Sequence, residues 1–190
     1  MKVDVDLVNW ATECATMLLS PLDNRWLHVQ GVVKRANQVG KVLSEDDRPY
    51  LIAAAYLHDI GYAPSLKKTG FHPLDGVNYL RSLGHERLAS LVAHHSGACF
   101  EAQLRGYAIE LNTFPRERSA TADALTYCDL TTSPLGEYLS LKERVQDIFS
   151  RYGDSDIVTR ALRQAMPSVS LAVARTTLRL KKCGLSEDGY

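Results

Sequence analysis

The sequence predicts an all-α fold, and three observations support this prediction. Apolar residues recur at steps of three and four along nearly the whole chain, which is the spacing of one face of an α-helix. No stretch shows the strict alternation of apolar and polar residues that marks a half-buried strand. Proline, glycine and acidic residues separate the apolar segments, as they do at helix ends. A chain of 190 residues with this pattern is expected to form a single domain.

Two helices are predicted before residue 40. The apolar stripe of the first consists of Leu7, Trp10, Ala11, Cys14, Met17 and Leu18, and Ser20-Pro21 closes it. The second is predicted to begin near Asp23, whose carboxylate suits an N-cap. Its apolar side consists of Trp26, Val29, Val33 and Ala36. His28 lies beside that face and is expected to point inward.

Four longer helices and one short helix are predicted between residues 40 and 134. The third begins at Asp46 or Asp47, has Pro49 in its first turn, and ends at Gly61. The next two cover residues 73–83, closed by Gly84, and residues 86–95, closed by Ser96-Gly97. Residues 100–119 are interpreted as a short helix and a loop that edges a pocket, and a sixth helix ends near Asp129.

The C-terminal part is predicted to add two or three helices over residues 137–152, 156–165 and 169–182. The predicted domain covers residues 1–183, with a motif-bearing core at about 26–134 and C-terminal helices at 137–183. Residues 184–190 are predicted to be a flexible tail.

Composition narrows the choice of partners and compartment. Lys plus Arg and Asp plus Glu number 22 each, so no overall charge favours nucleic-acid polymers or membranes. The four cysteines are widely spaced and form no CxxC pair. We interpret them as reduced thiols of a cytoplasmic protein. The apolar stretches are too short to span a bilayer.

Five of the six histidines form an ordered series with two aspartates. The series is His28, His58-Asp59, His72, His94-His95 and Asp129. Imidazole and carboxylate are the ligands that first-row divalent metals take when no thiolate is present, so the series resembles a two-metal ligand set. Three parts of it lie at predicted helix C-termini, where the helix dipole favours a cation and adjacent side chains can converge. His85, outside this order, is not assigned to the site.

The series and its context, RWLHVQGV and AAAYLHDIGY, resemble the HD superfamily of metal-dependent phosphohydrolases, an all-helical fold named for its His-Asp doublet. The resemblance implies an HD-domain helical bundle. It implies that His28, His58, Asp59 and Asp129 hold one metal, and that Asp59 bridges to a second. The second metal would be held by His72, His94 and His95. Iron or manganese is favoured, and cobalt, nickel, zinc and magnesium stay open.

Two divalent ions would outweigh the charge of two aspartates, so the site would attract phosphate and activate a water molecule for attack on phosphorus. Arg25, Lys67 and Lys68 are predicted to assist this reaction. Arg25, one turn before His28, and the loop with Lys67-Lys68 are also predicted to anchor the phosphate of a small substrate. Arg105 and Arg116, on the segment that edges the pocket, are weaker candidate anchors.

Two departures limit the resemblance. Many HD hydrolases read HD-x-G-K, whereas Tyr62 occupies the lysine position here. HD-GYP phosphodiesterases follow their double histidine with a Gly-Tyr-Pro signature, whereas this chain continues SGACFEAQ, so specificity for cyclic di-GMP is not expected. Tyr62, Tyr107 and Tyr127 are interpreted as packing residues in preference to a nucleobase platform.

The six basic residues near the C-terminus are interpreted as a solvated helix face, because no aromatic residues interleave them as in nucleic-acid-binding surfaces. They are Arg160, Arg163, Arg175, Arg179, Lys181 and Lys182.

The favoured function is hydrolysis of a small phosphate ester, such as a nucleotide, a cyclic nucleotide or a dinucleotide. One alternative is an HD-fold mixed-valence diiron oxygenase, which typically uses one histidine where this chain has His94-His95. The other is a metal-binding module without catalysis. The sequence leaves substrate and oligomeric state open.

Overall fold

The computed structural model describes residues 2–186, with side chains from Asp6 onward, and shows ten α-helices and no strand within that range. The helices are α1 (Lys2–Leu19), α2 (Asn24–Val39), α3 (Arg48–Leu57), α4 (His72–Ser82), α5 (Glu86–Ala93), α6 (Ala98–Arg105), α7 (Ala108–Asn112), α8 (Ala120–Leu130), α9 (Leu141–Tyr152) and α10 (Ile157–Lys182). Short 3-10 turns occupy Gly40–Val42, Ile60–Tyr62 and His95–Gly97. The predicted all-α class is confirmed.

Helix α3 lies at the centre of the bundle. Its residues Leu51, Ala53, Ala54, Ala55 and Leu57 have no exposed surface, and α1, α2, α5 and α8 pack around them. The three small alanines let the neighbouring helices approach closely, while Pro49 in the first turn suits the start of the helix. The C-terminus of α3 therefore delivers His58-Asp59 into the middle of the molecule.

Two glycines bring the start of α4 against the turn that follows Asp59. A Cβ atom on Gly61 would lie 1.9 Å from the carbonyl oxygen of His72, and one on Gly76 would lie 3.1 Å from the Gly61 nitrogen. Only glycine permits this separation of the two backbones. The contact places His72 beside Asp59.

Helix α10 corrects one prediction. Residues 156–165 and 169–182 were expected to form separate helices, but one 26-residue helix runs through Pro167. Proline removes one backbone hydrogen bond and typically costs about 3 kcal/mol inside a helix. The buried stripe of Leu162, Ala165, Val169 and Ala172 continues through the proline and offsets that cost.

Three smaller details also differ from prediction. Helix α9 begins at Leu141 instead of residue 137, because Ser140 and Glu143 form a capping box there. Asp23 precedes α2 but makes no capping hydrogen bond. Residues 100–119 contain the end of α6, the short α7 and a loop.

The predicted limits of the domain stay a prediction. Within the expected tail of 184–190, Leu185 packs against the main core, and residues 187–190 lie outside the described part of the chain. Among the described residues, no helix combines the length and apolar character needed to cross a membrane.

Candidate metal centre

Six of the seven predicted metal ligands converge in the centre of the bundle. Helix α2 supplies His28, the end of α3 supplies His58 and Asp59, and α4 begins with His72. The turn after α5 supplies His95, and the last turn of α8 supplies Asp129. All six are buried except His72, which is partly exposed.

The six side chains form two groups of three. His28, His58 and Asp129 offer ligand atoms within 4.8 Å of one another, and so do Asp59, His72 and His95. Each group combines two imidazole nitrogens with one carboxylate, a donor set that suits first-row divalent metals. The geometry can hold a metal ion in each group.

The carboxylate of Asp59 lies between the two groups. Its Oδ1 is 3.3 Å from Nε2 of His72, and its Oδ2 is 3.4 Å from Nε2 of His58. One oxygen thus faces each group. The bridging role that the resemblance implies for Asp59 stays a prediction.

Backbone carbonyls orient three of the histidines in the same way. Nδ1 of His28 lies 3.0 Å from the Ser133 oxygen, and Nδ1 of His58 lies 2.9 Å from the Ala55 oxygen. Nδ1 of His95 lies 2.6 Å from the Val92 oxygen. A carbonyl can only accept, so each Nδ1–H donates and each Nε2 faces the other ligands. Such outer bonds commonly orient metal-bound histidines.

One ligand nitrogen has no hydrogen-bond partner. His58 has no exposed surface, and its Nε2 makes no hydrogen bond with any described residue. Buried polar atoms are rarely left unsatisfied, because the lost hydrogen bond costs about 1–3 kcal/mol. A metal ion coordinated by this nitrogen would satisfy it, so the residues present fit a metal.

Nearby charges control protonation in the cluster. Burial opposes a charged His58, but the carboxylates of Asp59 and Asp129 outweigh burial and raise its pKa to about 9. Burial would raise the pKa of Asp59, yet Arg25 and His58 hold that pKa well below its usual range. The pKa of Asp129 is likewise lowered, since the bond from His28 and the charge of His58 outweigh burial. A proton on His58 thus interacts with both carboxylates, while Arg25 adds a second positive charge beside Asp59, and metal binding at His58 must displace that proton.

The second group holds its histidines neutral. Burial lowers the pKa of His72 to about 3, although Asp59 acts in the opposite direction. Burial and the charge of His58 also lower the pKa of His95. Neutral imidazole is the form that ligates metals, so these two side chains are ready to bind.

Arg25 lies against both the metal ligands and an aromatic ring. Its Nη1 donates to Oδ2 of Asp59 at 2.5 Å, and its guanidinium carbon lies 4.0 Å from the centre of the Tyr62 ring. Tyr62 in turn stacks on His72, with ring centroids 4.2 Å apart. The chain thus places an arginine near the ligand site even though Tyr62 replaces the lysine common in HD hydrolases.

His94 does not join the other six ligands. Its Nε2 lies 2.8 Å from the Phe114 carbonyl oxygen and donates a hydrogen bond to it. In His28, His58 and His95 the same nitrogen instead faces the other ligands. The side chain faces a different cavity. The prediction that His94 holds a metal is therefore not supported, because the backbone turn at 94–97 directs the two adjacent side chains apart.

The site opens into a cavity of about 300 Å³. Arg25, Tyr62 and five of the six ligands, all except His58, line it together with residues of α9 and α10. The α9 residues are Arg144, Ile148, Arg151 and Tyr152. Ser96 also lines the cavity, and its hydroxyl donates to Oδ2 of Asp129.

Four predicted anchors do not line this cavity. Asp75 accepts from the backbone nitrogens of Thr69 and Gly70, which folds the loop against α4 and leaves Lys67 and Lys68 exposed. Arg105 donates to Glu101 at 2.7 Å. Arg116 faces the other cavity with His94. Proximity in sequence to the doublet gave no guide to proximity in space.

Sequence reasoning missed two cations that do line the cavity, Arg144 and Arg151. Arg144 is 6% exposed and its Nη1 donates to Asp147 at 2.7 Å, while its Nε has no partner among the described residues. Arginine is almost never so deeply buried without a reason. Arg144 lies one helical turn before Ile148, on the buried face of α9. An arginine in the apolar stripe of a helix is a pattern from which the sequence could have identified it.

The three tyrosines differ in role. Tyr107 packs on Phe71, and Tyr127 is buried near Arg35, as expected of packing residues. Tyr62 is 37% exposed and lines the cavity.

Comparison with known families gives one match. A family model described as HD domain matches residues 25–149, a segment that contains all six converging ligands and most of α9. Neither the comparison with curated proteins nor that with solved structures gives a match.

Proposed function

This chain belongs to the HD superfamily of metal-dependent phosphohydrolases, and from that premise we propose that it hydrolyses a small phosphate ester at a centre of two divalent metal ions. One observation carries the proposal. Two groups of ligands, buried except for the partly exposed His72, face each other across the carboxylate of Asp59, and the buried Nε2 of His58 forms no hydrogen bond with any described residue.

The protein's own residues would bind and orient the ester. Arg25 offers a guanidinium that is already oriented by the Tyr62 ring, so it loses little freedom when it meets a phosphate oxygen. Arg144 and Arg151 face the same cavity from α9. Divalent metals at the six ligands would supply the Lewis acidity that polarises a phosphoryl oxygen and acidifies water.

The cavity favours a substrate of modest size. Its volume of about 300 Å³ is at the lower end of the range for ligand pockets, which is roughly 300–1,000 Å³. Apolar residues of its lining, among them Ile148 and Leu162, would contact the ester's organic part. A mononucleotide or cyclic mononucleotide suits these dimensions better than a dinucleotide.

Iron and manganese are the proposed metals. All six ligand atoms are nitrogen or oxygen, and the free cysteines belong to neither ligand group. Such sets favour Fe or Mn over metals that select thiolate.

Metal analysis with an activity assay tests the proposal. The protein is purified anaerobically without an affinity tag, its metals are counted by plasma mass spectrometry, and hydrolysis of bis(p-nitrophenyl) phosphate and cyclic nucleotides is followed with and without added Mn²⁺. We expect about two metals per chain and oxygen-independent release of product. A chain that binds no metal after reconstitution would overturn the proposal.

A second candidate follows from the position of His94. With that side chain directed elsewhere, one histidine is left at this step of the series, as in the diiron oxygenases that share the fold. Two irons, uptake of dioxygen and absence of phosphate release would favour this alternative. The anaerobic assay therefore separates the two functions.

A further inference from the structure

A second cavity lies on the other side of the turn at residues 94–97. Its volume is about 610 Å³, larger than that of the metal cavity. Helix α5, the loop before α8, the first turn of α8 and the middle of α10 form its walls. We call it the arginine groove, defined by Arg116, Arg118, Arg175 and Arg179.

The arginine groove has more positive charge than its acidic residues can balance. Of the two carboxylates in its lining, Glu117 is engaged from outside the groove by Arg87, with two contacts of 3.0 Å. Asp123 is shared, at 3.8 Å from Arg175 and 3.5 Å from Arg179. One carboxylate therefore serves two guanidinium groups in a chain of zero net charge.

Arg116 and Arg118, on the opposite wall, have even fewer contacts with other residues of the protein. Arg118 is exposed and has no hydrogen bond or ion pair with any described residue. Arg116 makes one long contact, 3.9 Å from its Nη1 to Sγ of Cys99. Guanidinium groups that face one concavity and have few protein partners are suited to an anion, and above all to phosphate.

The rest of the lining adds to this preference. The first turn of α8 contributes Ala120 and Ala122, and its helix dipole favours negative charge at that end. Leu91, Val169 and Ala172 form an apolar floor. The arginine groove thus combines an anion-attracting wall with a surface for an organic body.

We propose that the arginine groove binds a small phosphate-bearing anion at a site separate from the metal centre. A polymer is disfavoured because the groove contains only part of the basic run of α10. Of the six basic residues in the C-terminal run, only Arg175 and Arg179 line the groove. Arg163 instead pairs with Asp154. The proposal stands independently of the function proposed above.

The test uses inorganic pyrophosphate and the full chain. Calorimetric titration is carried out on protein stripped of metal and kept in EDTA, so that metal-dependent phosphate binding at the other site is absent. The double variant Arg118→Gln/Arg175→Gln removes one guanidinium from each wall, at exposed positions that are not expected to affect folding. We expect saturable binding of pyrophosphate to the native protein, and an affinity at least about tenfold weaker in the double variant.

Arg163→Gln, an exposed arginine of the same helix outside the groove, is the matched control and is expected to bind pyrophosphate as the native protein does. Thermal melts confirm that all variants are folded. Absence of binding to the native protein would overturn the proposal. So would loss of binding in Arg151→Gln with retention in the double variant, since the anion would then lie in the metal cavity. Displacement of pyrophosphate by lower concentrations of a single-stranded RNA would identify a nucleic-acid surface instead.

Discussion

The metal centre and the arginine groove lie on opposite sides of one turn and carry their charges in different ways. In the metal centre the charges are buried, and Asp59 has partners in Arg25 and His58. In the groove the guanidinium groups are largely exposed, and Arg118 has no partner among the described residues. Buried charges require fixed partners, whereas exposed charges are stabilised by water. Substitutions at the metal centre should therefore change both the stability of the fold and the catalytic activity. Substitutions in the groove should change only the affinity for its ligand.

The largest expected effect is that of Asp59→Asn. The substitution keeps the shape but removes the carboxylate that both ligand groups share and leaves Arg25 without its partner. We expect metal content to fall below one ion per chain and hydrolysis to drop by roughly 10³-fold or more. Asp154→Asn, at an exposed position, is the control and should change neither. Full activity in Asp59→Asn would contradict the assigned centre.

The matched pair His95→Gln and His94→Gln tests the difference between the two sides of the turn. His95 faces the ligands and His94 faces the groove. We expect His95→Gln to weaken Mn²⁺ binding by roughly 100-fold and His94→Gln to leave it within about threefold. Calorimetric titration of the metal-free proteins with Mn²⁺ measures the affinity of both variants. Equal losses would mean that His94 is also a ligand.

Ser96 tests whether the turn itself orients the centre. Its φ of 50° is unfavourable for any residue but glycine, and its hydroxyl donates to Asp129. Ser96→Ala and Ser96→Gly both remove the hydroxyl and are expected to weaken metal binding about tenfold. Only glycine relieves the backbone, so Ser96→Gly should be more stable than Ser96→Ala by about 1 kcal/mol in urea unfolding. The reverse order would argue against strain at this turn.

The smallest expected effect concerns Arg87, which joins Asp47 to Glu117 near the groove. The bond from Arg87 lowers the pKa of Asp47, and it also lowers the pKa of Glu117 against the effect of burial. Because both carboxyl pKa values are lower in the folded state, the stabilisation is present at neutral pH and is lost as the pH falls through those values. Arg87→Met should cost about 0.5–1 kcal/mol at pH 7, and the difference should narrow below about pH 4. Urea unfolding at several pH values measures it, and a widening difference in acid would contradict the assignment.

The sequence predicted those parts of the site that depend on local order. His58 and Asp59 directly follow the apolar helix α3 and come just before Gly61, so their burial and convergence could be inferred. His94 and His95 could not be distinguished, because adjacent side chains at a helix end are separated only by backbone torsions such as that of Ser96.

Contacts distant in sequence were harder to infer. Lys67 and Lys68 lie near the doublet in sequence but are exposed, whereas Arg144 and Arg151 reach the cavity through the packing of α9. The same applies to Pro167, where tertiary packing overrides a local helix-breaking signal.

The hydrogen bonds that orient the histidines differ in how far they reach along the chain, and this has a consequence for assembly. The bonds from His58 to Ala55 and from His95 to Val92 span three residues each, whereas that from His28 to Ser133 spans 105. Two rings can therefore adopt their final direction as soon as α3 and α5 form, on the microsecond timescale of helix formation. His28 must wait until distant parts of the chain meet, so one half of the centre is complete only when folding is nearly complete.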